Sequence, residues 1–181
     1  MPSVISHAVV AVAAGVGFAP RDVPNHFWPL SIVCSMIPDA DVIGISFCIP
    51  YQNLFGHRGF FHSPFFGLLM SIFFVCLFFR DTEIFSRRWW FYVIFFFLLS
   101  ASHGILDALT NGGLGIALLA PFDHTRYFFP WRPIMVSPIS VGAFFSKWGL
   151  MVIKSEVLWV WLPSFFIVVI SAVIRVVAGR H

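Results

Sequence analysis

Three short polar motifs interrupt a largely apolar chain, and their residue types are those of metal sites. HRGFFHS occupies residues 57–63, PDAD residues 38–41 and SHGILDALT residues 102–110. Imidazole and carboxylate groups together favour zinc, iron or manganese, whereas calcium and magnesium prefer oxygen ligands alone. We therefore expect a divalent metal cofactor, zinc first, with manganese or iron as alternatives.

The spacing of the histidines suits shared coordination. His103 and Asp107 are four residues apart, so a helix would present both on one face and offer two ligands together. His57 and His62 are five residues apart and flank a glycine-containing turn, which can bring the two imidazoles together. These four residues are the main candidate metal ligands.

Two aspartates and one further histidine complete the candidate set. Asp39 and Asp41 alternate in a segment that we expect to be extended, so that both side chains point the same way. They would complete a second metal position or serve as a general base. His7 is a weaker ligand candidate, since a lone histidine in a membrane helix also hydrogen-bonds neighbouring helices. Clustered ionisable groups at membrane depth usually mark a site, because each is costly unless paired.

Arginines near these motifs suggest how a charged substrate could be handled. Arg58, inside HRGFFHS, is a candidate catalytic group that would stabilise developing anionic charge. Arg126 and Arg132 lie among aromatic residues in PFDHTRYFFPWRP, residues 121–133. That mixture is typical of an interfacial aromatic belt, and it also suits binding of a lipid phosphate. His124 is a weaker candidate for substrate contact, with a simple turn as the alternative.

The elements that position these residues must be membrane helices. The chain is 59% hydrophobic and 10% charged, with a mean hydropathy of +0.90, and its apolar runs do not alternate as barrel strands do. We predict an all-α, polytopic transmembrane helical bundle of about four to five membrane helices with an interfacial loop and helix region. Residues 1–181 would form a single integral membrane domain. The net charge of +3 suits anionic lipid, and no basic stripe indicates a nucleic acid partner.

The apolar runs give provisional helix bounds. The predicted membrane segments cover residues 4–19, 26–37, 63–80, 88–110 and 157–178. The second is too short for an ordinary span, so we expect a half-buried or tilted helix that ends at Pro38. Residues 111–140 are rich in glycine and proline and predict an ordered loop. Residues 141–155 predict an amphipathic helix at the membrane interface.

Charge at the ends of the spans predicts an orientation. Arg80, Arg87 and Arg88 bound a short loop between two clear spans, which the positive-inside rule assigns to the cytoplasm. On this map all three polar motifs, together with His7, lie at the opposite end of the bundle. The sequence therefore predicts one shared site, on the periplasmic side.

The order of the motifs resembles a bacterial and archaeal family of inner-membrane metal-dependent hydrolases, which includes a LexA-regulated member. The resemblance covers residues 1–125 and depends mainly on HRGFFHS and SHGILDALT. The remaining elements are His7, the PDAD motif, a glycine turn at residues 112–115 and the Pro-Phe pair at residues 121–122. The family commonly has threonine where this chain has Phe61, which removes a hydroxyl group but no ligand.

This resemblance implies a membrane-embedded hydrolase with a divalent metal, located in the inner (plasma) membrane. The H-x-x-x-D element is also similar to one in zinc-dependent phospholipase C and related nucleases, which suggests phosphoester chemistry. We therefore expect a phosphoester or ester of a membrane lipid as substrate and leave the oligomeric state open. Two alternatives remain: a metal-binding or ion-transporting protein without hydrolysis, and a scaffold whose polar cluster only ties helices together.

Overall fold

The computed structural model describes residues 1–178, and the regular secondary structure of this part of the chain is helical, apart from two isolated β-bridges in its loops. The α-helices are α1 (Val4–Phe18), α2 (Phe27–Met36), α3 (Ile43–Ser46), α4 (Pro64–Phe78), α5 (Arg87–Ala108), α6 (Val141–Phe144), α7 (Lys147–Glu156) and α8 (Leu162–Ala178). Within residues 1–178, three helical segments are long and apolar enough to cross a membrane: Phe27–Ser46, Arg87–Ala108 and Lys147–Ala178. Together with the shorter apolar helices α1 and α4, they confirm the predicted helical membrane bundle.

The PDAD segment departs from its predicted conformation. Pro38 does not end the helix but lies at the start of a 3-10 segment, Ile37–Val42, that joins α2 to α3. Proline is tolerated there because the first residues of a helical turn have no N–H bond to lose. The predicted extended conformation of this segment is therefore wrong. With about three residues per turn, Asp39 and Asp41 point in different directions and contact different nitrogens of the His62 ring.

The C-terminal segment also differs from the prediction. Residues 141–155 do not form a separate interfacial helix: α6 is one short turn, and α7 continues through a π-helical turn, Val157–Trp161, into α8. Pro163 follows that turn and lacks the N–H that would bond to the carbonyl of Trp159. The π turn absorbs this change of hydrogen-bond register, so the helix continues instead of breaking.

The core lies between α2, α4 and α5 and is largely aromatic. Phe27 is fully buried and its ring centroid lies 4.8 Å from that of Phe95. Helix α1 packs closely on α2 because Gly15 has no side chain: a Cβ there would lie 2.7 Å from the Trp28 ring. Small residues permit such close helix contacts in membranes. The outward surfaces of α5 and α8 are apolar and exposed, as a lipid environment requires.

Two arginines, Arg88 and Arg175, form contacts at the same end of the bundle. Arg88 forms an ion pair with Asp22 at 2.9 Å, and Arg175 Nη2 donates a hydrogen bond to the carbonyl of Ala19 at 2.9 Å. The C-terminal end of α1 is therefore at this end. His7, near the start of α1, lies about 18 Å away along the helix axis, toward the end that carries the polar motifs.

Candidate metal centre

Four separate segments bring five histidine and aspartate side chains into one buried group, here called the His–Asp cluster. His7 comes from α1, Asp39 from the 3-10 segment after α2, and His62 from a 3-10 turn, Phe60–His62. His103 and Asp107 come from α5. Asp39 is 7% exposed and the other four are at most 1% exposed, so the cluster is shielded from solvent.

The distances inside the cluster match those between ligands of one metal ion. His62 Nε2 lies 3.5 Å from Asp39 Oδ1 and 3.5 Å from Asp107 Oδ2. His103 Nε2 lies 3.3 Å from Asp39 Oδ1. Tetrahedral bonds of about 2.0–2.2 Å to zinc put neighbouring ligand atoms roughly 3.3–3.6 Å apart. These four residues each offer one ligand atom, all within 4.8 Å of one another.

His7 lies at the edge of this group. Its Nε2 is 3.7 Å from Asp107 Oδ1 and 4.0 Å from Asp39 Oδ2. Its ring stacks on that of His103, with centroids 3.8 Å apart and planes at 18°. His7 therefore faces the same space and can serve as a further ligand.

The cluster is also where hydrogen bonding is incomplete. Across residues 1–178, every buried side-chain nitrogen or oxygen without a hydrogen-bond partner belongs to the His–Asp cluster or to Arg58 Nε. Buried polar groups are normally paired, and leaving one unpaired costs about 1–3 kcal/mol. Of the three buried carboxylates of Asp39, Asp41 and Asp107, only that of Asp107 is paired with a guanidinium, that of Arg58. A divalent cation fits this site because it would satisfy both the unpaired atoms and the excess negative charge.

Two imidazoles are held so that Nε2 faces the cluster. His103 Nδ1 lies 2.7 Å from the carbonyl oxygen of Ser35, which can only accept, so Nδ1 carries the proton. His62 Nδ1 lies 3.1 Å from Asp41 Oδ2, a close polar contact whose direction falls outside hydrogen-bond geometry. Metal-binding histidines are commonly oriented in this way, through a carbonyl or carboxylate on the other ring nitrogen.

Asp41 differs from Asp39 in that both of its oxygens have partners. Oδ1 lies 2.6 Å from His57 Nδ1, and Oδ2 accepts a hydrogen bond from the backbone N–H of Arg58 at 3.0 Å. Asp41, His57 and His62 form a second group that could hold a metal ion. The structure thus puts His57 beside the His–Asp cluster, and the ligand roles of His57 and Asp41 stay predictions.

The carboxylates around His62 change its protonation. Burial opposes a charge on this imidazole, but the contacts with Asp39 and Asp41 outweigh burial and raise the pKa of His62 to about 9. A proton on His62 therefore offsets part of the negative charge when no cation is bound. Because a metal ligand must be deprotonated, a bound metal ion has to displace that proton.

Arg58 is buried, and its guanidinium contacts three polar groups of the chain. Its Nε lies 3.1 Å from Asp107 Oδ2, an ion pair whose direction falls outside hydrogen-bond geometry. Nη2 donates to Thr110 Oγ1 and Nη1 to the carbonyl of Gly112. Gly113, at φ 89°, leaves room for Arg58, since a Cβ there would lie 2.6 Å from Nη1. Its predicted role in stabilising reaction charge stays a prediction.

A glycine on α5 sets the distance between two ligand-bearing segments. A Cβ at Gly104 would lie 2.8 Å from the carbonyl oxygen of His62. The absence of a side chain lets the Phe60–His62 turn pack directly on α5, next to His103. This contact brings His62 and His103 within range of one ion.

The long loop contributes support to the site. Arg126 Nη1 donates to the carbonyl of His57 at 3.0 Å, and Nη2 donates to the carbonyl of Tyr51 at 2.8 Å. Arg126 thus fixes the loop that precedes HRGFFHS. Arg132 is exposed, with its guanidinium 4.7 Å from the centroid of the Phe128 ring, and His124 is exposed on the surface. The predicted substrate roles of these three residues are not tested by their positions.

One buried carboxylate was not predicted from the sequence. Glu156, at the end of α7, is fully buried and accepts hydrogen bonds from the N–H and Oγ of Ser3 and from Ser6 Oγ. Trp161 Nε1 donates to the same Ser6 hydroxyl. These bonds fix the start of α1, just before His7. An acidic residue within a long apolar run was the available signal.

Apolar outer faces and a buried His–Asp cluster at one end define an integral membrane protein with a candidate metal centre. The chain belongs to the YdjM inner membrane protein family, whose model matches residues 1–181. It is similar to Inner membrane protein YbcI of Escherichia coli (strain K12), with 37% identity over 169 residues, 91% of this chain and 93% of that protein. No solved structure matches the chain. The predicted family resemblance and the inner-membrane location are thereby confirmed.

Proposed function

We propose that this protein is a metal-dependent hydrolase that cleaves a phosphoester, or an ester, of a membrane lipid. The unpartnered buried atoms of the His–Asp cluster are the observation that supports this most strongly. Polar groups that only tie helices together would be expected to hydrogen-bond to one another. In the His–Asp cluster, nitrogen and oxygen atoms instead remain unpaired around a common space, and the distances between them suit the ligands of one metal ion.

Asp39, His62, His103 and Asp107 would hold the ion, with His7 as an additional ligand. Zinc is the first choice for this mixed nitrogen and oxygen set, and manganese or iron are the alternatives. A bound divalent ion supplies an activated water and polarises a phosphoryl or acyl group. The group of Asp41, His57 and His62 would either orient His62 or complete a second metal position.

Side chains and backbone groups of the chain would orient the ligands, offset charge and accept a proton. The carbonyl of Ser35 and the carboxylate of Asp41 keep the Nε2 atoms of His103 and His62 directed inward. Arg58 offsets the charge of Asp107. Asp39 is the most exposed carboxylate of the cluster, and its Oδ2 faces only His7 Nε2, at 4.0 Å. We assign to Asp39 Oδ2 the proton released by the attacking water.

Orientation and headgroup binding follow from the arginines. The end that carries Arg88 and Arg175 would face the cytoplasm by the positive-inside rule, so the cluster would lie at the periplasmic rim, where lipid headgroups are. Arg126 is engaged with loop carbonyls, which leaves the exposed Arg132 as the better candidate to bind a lipid phosphate.

The test is the metal content per chain of detergent-purified protein, followed by turnover of lysophosphatidylglycerol, which has one acyl chain, and of phosphatidylglycerol, which has two, in vesicles and measured by mass spectrometry. We compare wild type with Asp107→Asn, and use Asp123→Asn as the control, because Asp123 lies in the long loop and bonds only locally to Thr125 and Tyr127. We expect stoichiometric metal and turnover in wild type and control, and loss of both in Asp107→Asn.

Two outcomes would contradict the proposal. Folded wild type that stays metal-free after incubation with zinc or manganese would refute the hydrolase mechanism and favour the scaffold. Metal-loaded protein that hydrolyses no lipid but carries metal ions across proteoliposomes would instead favour transport.

A further inference from the structure

An apolar groove leads from the outside of the bundle to Asp39. Its volume is about 420 Å³, and it lies between the start of α1, the 3-10 segment and residues 137–145. Val4 and Ile5 form one wall, and Ile139 and Phe145 form part of the other. Among the described residues that line it, Asp39 is the one with an ionisable side chain. Ser3, Ser137 and Ser140 add hydroxyl groups to a lining that is otherwise mainly apolar. The groove therefore suits a ligand that is mostly apolar and has its charged group at the Asp39 end.

The groove is also the approach to the His–Asp cluster. Asp39 is the one cluster residue that lines it, and it is more exposed than the other four members. The outer rim is apolar and open, with Ile139 52% exposed and Phe145 83% exposed. Lys147 and Trp148 follow at once, a pairing typical of the membrane interface. The groove thus opens where acyl chains meet headgroups.

A second apolar groove, of about 360 Å³, ends at Asp41 and does not offer the same chemistry. The Asp41 side chain is fully buried, and both of its oxygens already have partners. A polar head at that end would find no unpaired ligand atom. The geometry therefore favours the groove at Asp39.

We propose that this groove binds the apolar chain of a single-chain lipid with an anionic phosphate head, which reaches the metal centre at Asp39 from the bilayer. The inference rests on the proposed function, because the head needs a cation to bind. Without a cation, the excess carboxylates of the site would repel a phosphate. The groove lies near the lower end of the usual size range of ligand pockets, about 300–1,000 Å³, so it selects one chain over two.

The test uses a single-chain alkyl phosphate with a diazirine at the end of its chain, and a two-chain phosphatidic acid with the same diazirine. Metal-loaded wild type in lipid nanodiscs is irradiated, and the adducts are mapped by mass spectrometry. We expect adducts at Val4, Ile5 and residues 137–140 with the single-chain probe, at least tenfold fewer with the two-chain probe, and loss of both when the metal is removed.

The matched variants are Ile139→Trp and Ile94→Trp. Ile139 lines the groove and is 52% exposed, whereas Ile94 is 51% exposed on α5 and lies outside the groove. Ile139→Trp narrows the groove and should reduce groove adducts about tenfold, while Ile94→Trp should leave them unchanged. An unchanged metal content in Ile139→Trp shows that the cluster is intact, and Ile5→Trp narrows the groove from the opposite wall if Ile139→Trp does not fold.

The outcomes separate this inference from the proposed hydrolase. Adducts spread over the exposed face of α8, and unaffected by narrowing the groove, would overturn the groove assignment. Turnover of two-chain lipid without groove adducts would overturn it too, while leaving the hydrolase in place. Metal-dependent groove adducts in a protein that hydrolyses neither probe would support the groove and refute the hydrolase.

Discussion

Asp39 and Asp41 are two residues apart, yet the same substitution should change stability in opposite directions. Both oxygens of Asp39 are buried without hydrogen-bond partners, whereas Asp41 bonds to His57 and to the N–H of Arg58. In metal-free protein, Asp39→Asn removes one of three buried carboxylate charges, which Arg58 and the proton on His62 offset only in part, at almost constant shape. Asp41→Asn instead weakens two charge-assisted bonds, which are roughly twice as strong as neutral ones.

The magnitudes follow from these contacts. An unsatisfied buried polar group costs about 1–3 kcal/mol, and a charged group costs more. Asp39→Asn replaces the charge by a neutral amide and should stabilise metal-free protein by about 1–3 kcal/mol, a rise in Tm of roughly 2–12 °C. Asp41→Asn should lower stability by about 1–2 kcal/mol. Metal at a hundred times its Kd should stabilise the wild type by about 2.7 kcal/mol. Asp39→Asn should lose most of that gain.

The assay is thermal unfolding in detergent, with and without zinc, for wild type and both variants, and with Asp123→Asn as the surface control. We expect the order of Tm values to change with zinc. Asp39→Asn should have the highest Tm without metal and the smallest increase in Tm when zinc is added. If Asp39→Asn lowered the metal-free Tm as much as Asp41→Asn does, Asp39 would be a structural residue. The inference from unpaired atoms to a metal centre would then be wrong.

Three other contacts give separate predictions. Glu156→Gln replaces a carboxylate that accepts three hydrogen bonds, so it should lower the free energy of unfolding by about 1.5–3 kcal/mol. The measurement is chemical unfolding, and an unchanged denaturation midpoint would show that these bonds make no net contribution to stability. Gly104→Ala should push the carbonyl of His62 away and weaken zinc binding at least tenfold in a chelator competition titration, and equal affinity would contradict the close approach. Arg126→Gln should speed hydrogen exchange in residues 51–57 while metal content stays constant; unchanged exchange would mean that other contacts hold this loop.

The sequence predicted the membrane helices and the meeting of the polar motifs because these depend on local pattern. Long apolar runs fix the number of spans, and alternate spans return the chain to the same end of the bundle. The conformation around Pro38 was predicted wrongly because a proline is compatible both with the end of a helix and with the first turn of another. Only packing of that segment against His62 and α5 selects the second.

The site was predicted as a set of residues but not as an arrangement. Residue types and spacing identify Asp39, Asp41 and the histidines, yet they do not reveal which carboxylate is hydrogen-bonded and which is free. That distinction depends on the backbone of Arg58, which takes a positive φ of 65° and directs its N–H at Asp41. Glu156 escaped notice for a similar reason, because its partners Ser3 and Ser6 lie some 150 residues away in the chain.

The hydrogen bonds between Glu156 and the start of α1 can form only after α7 has been synthesised. All five residues of the His–Asp cluster lie at or before Asp107, whereas Glu156 lies in α7, which is synthesised after all of them. Chains fold from the N-terminus as they are made. The ligands can therefore gather before α7 and α8 enter the bilayer, and the arrival of Glu156 then fixes α1 and His7 in the finished bundle.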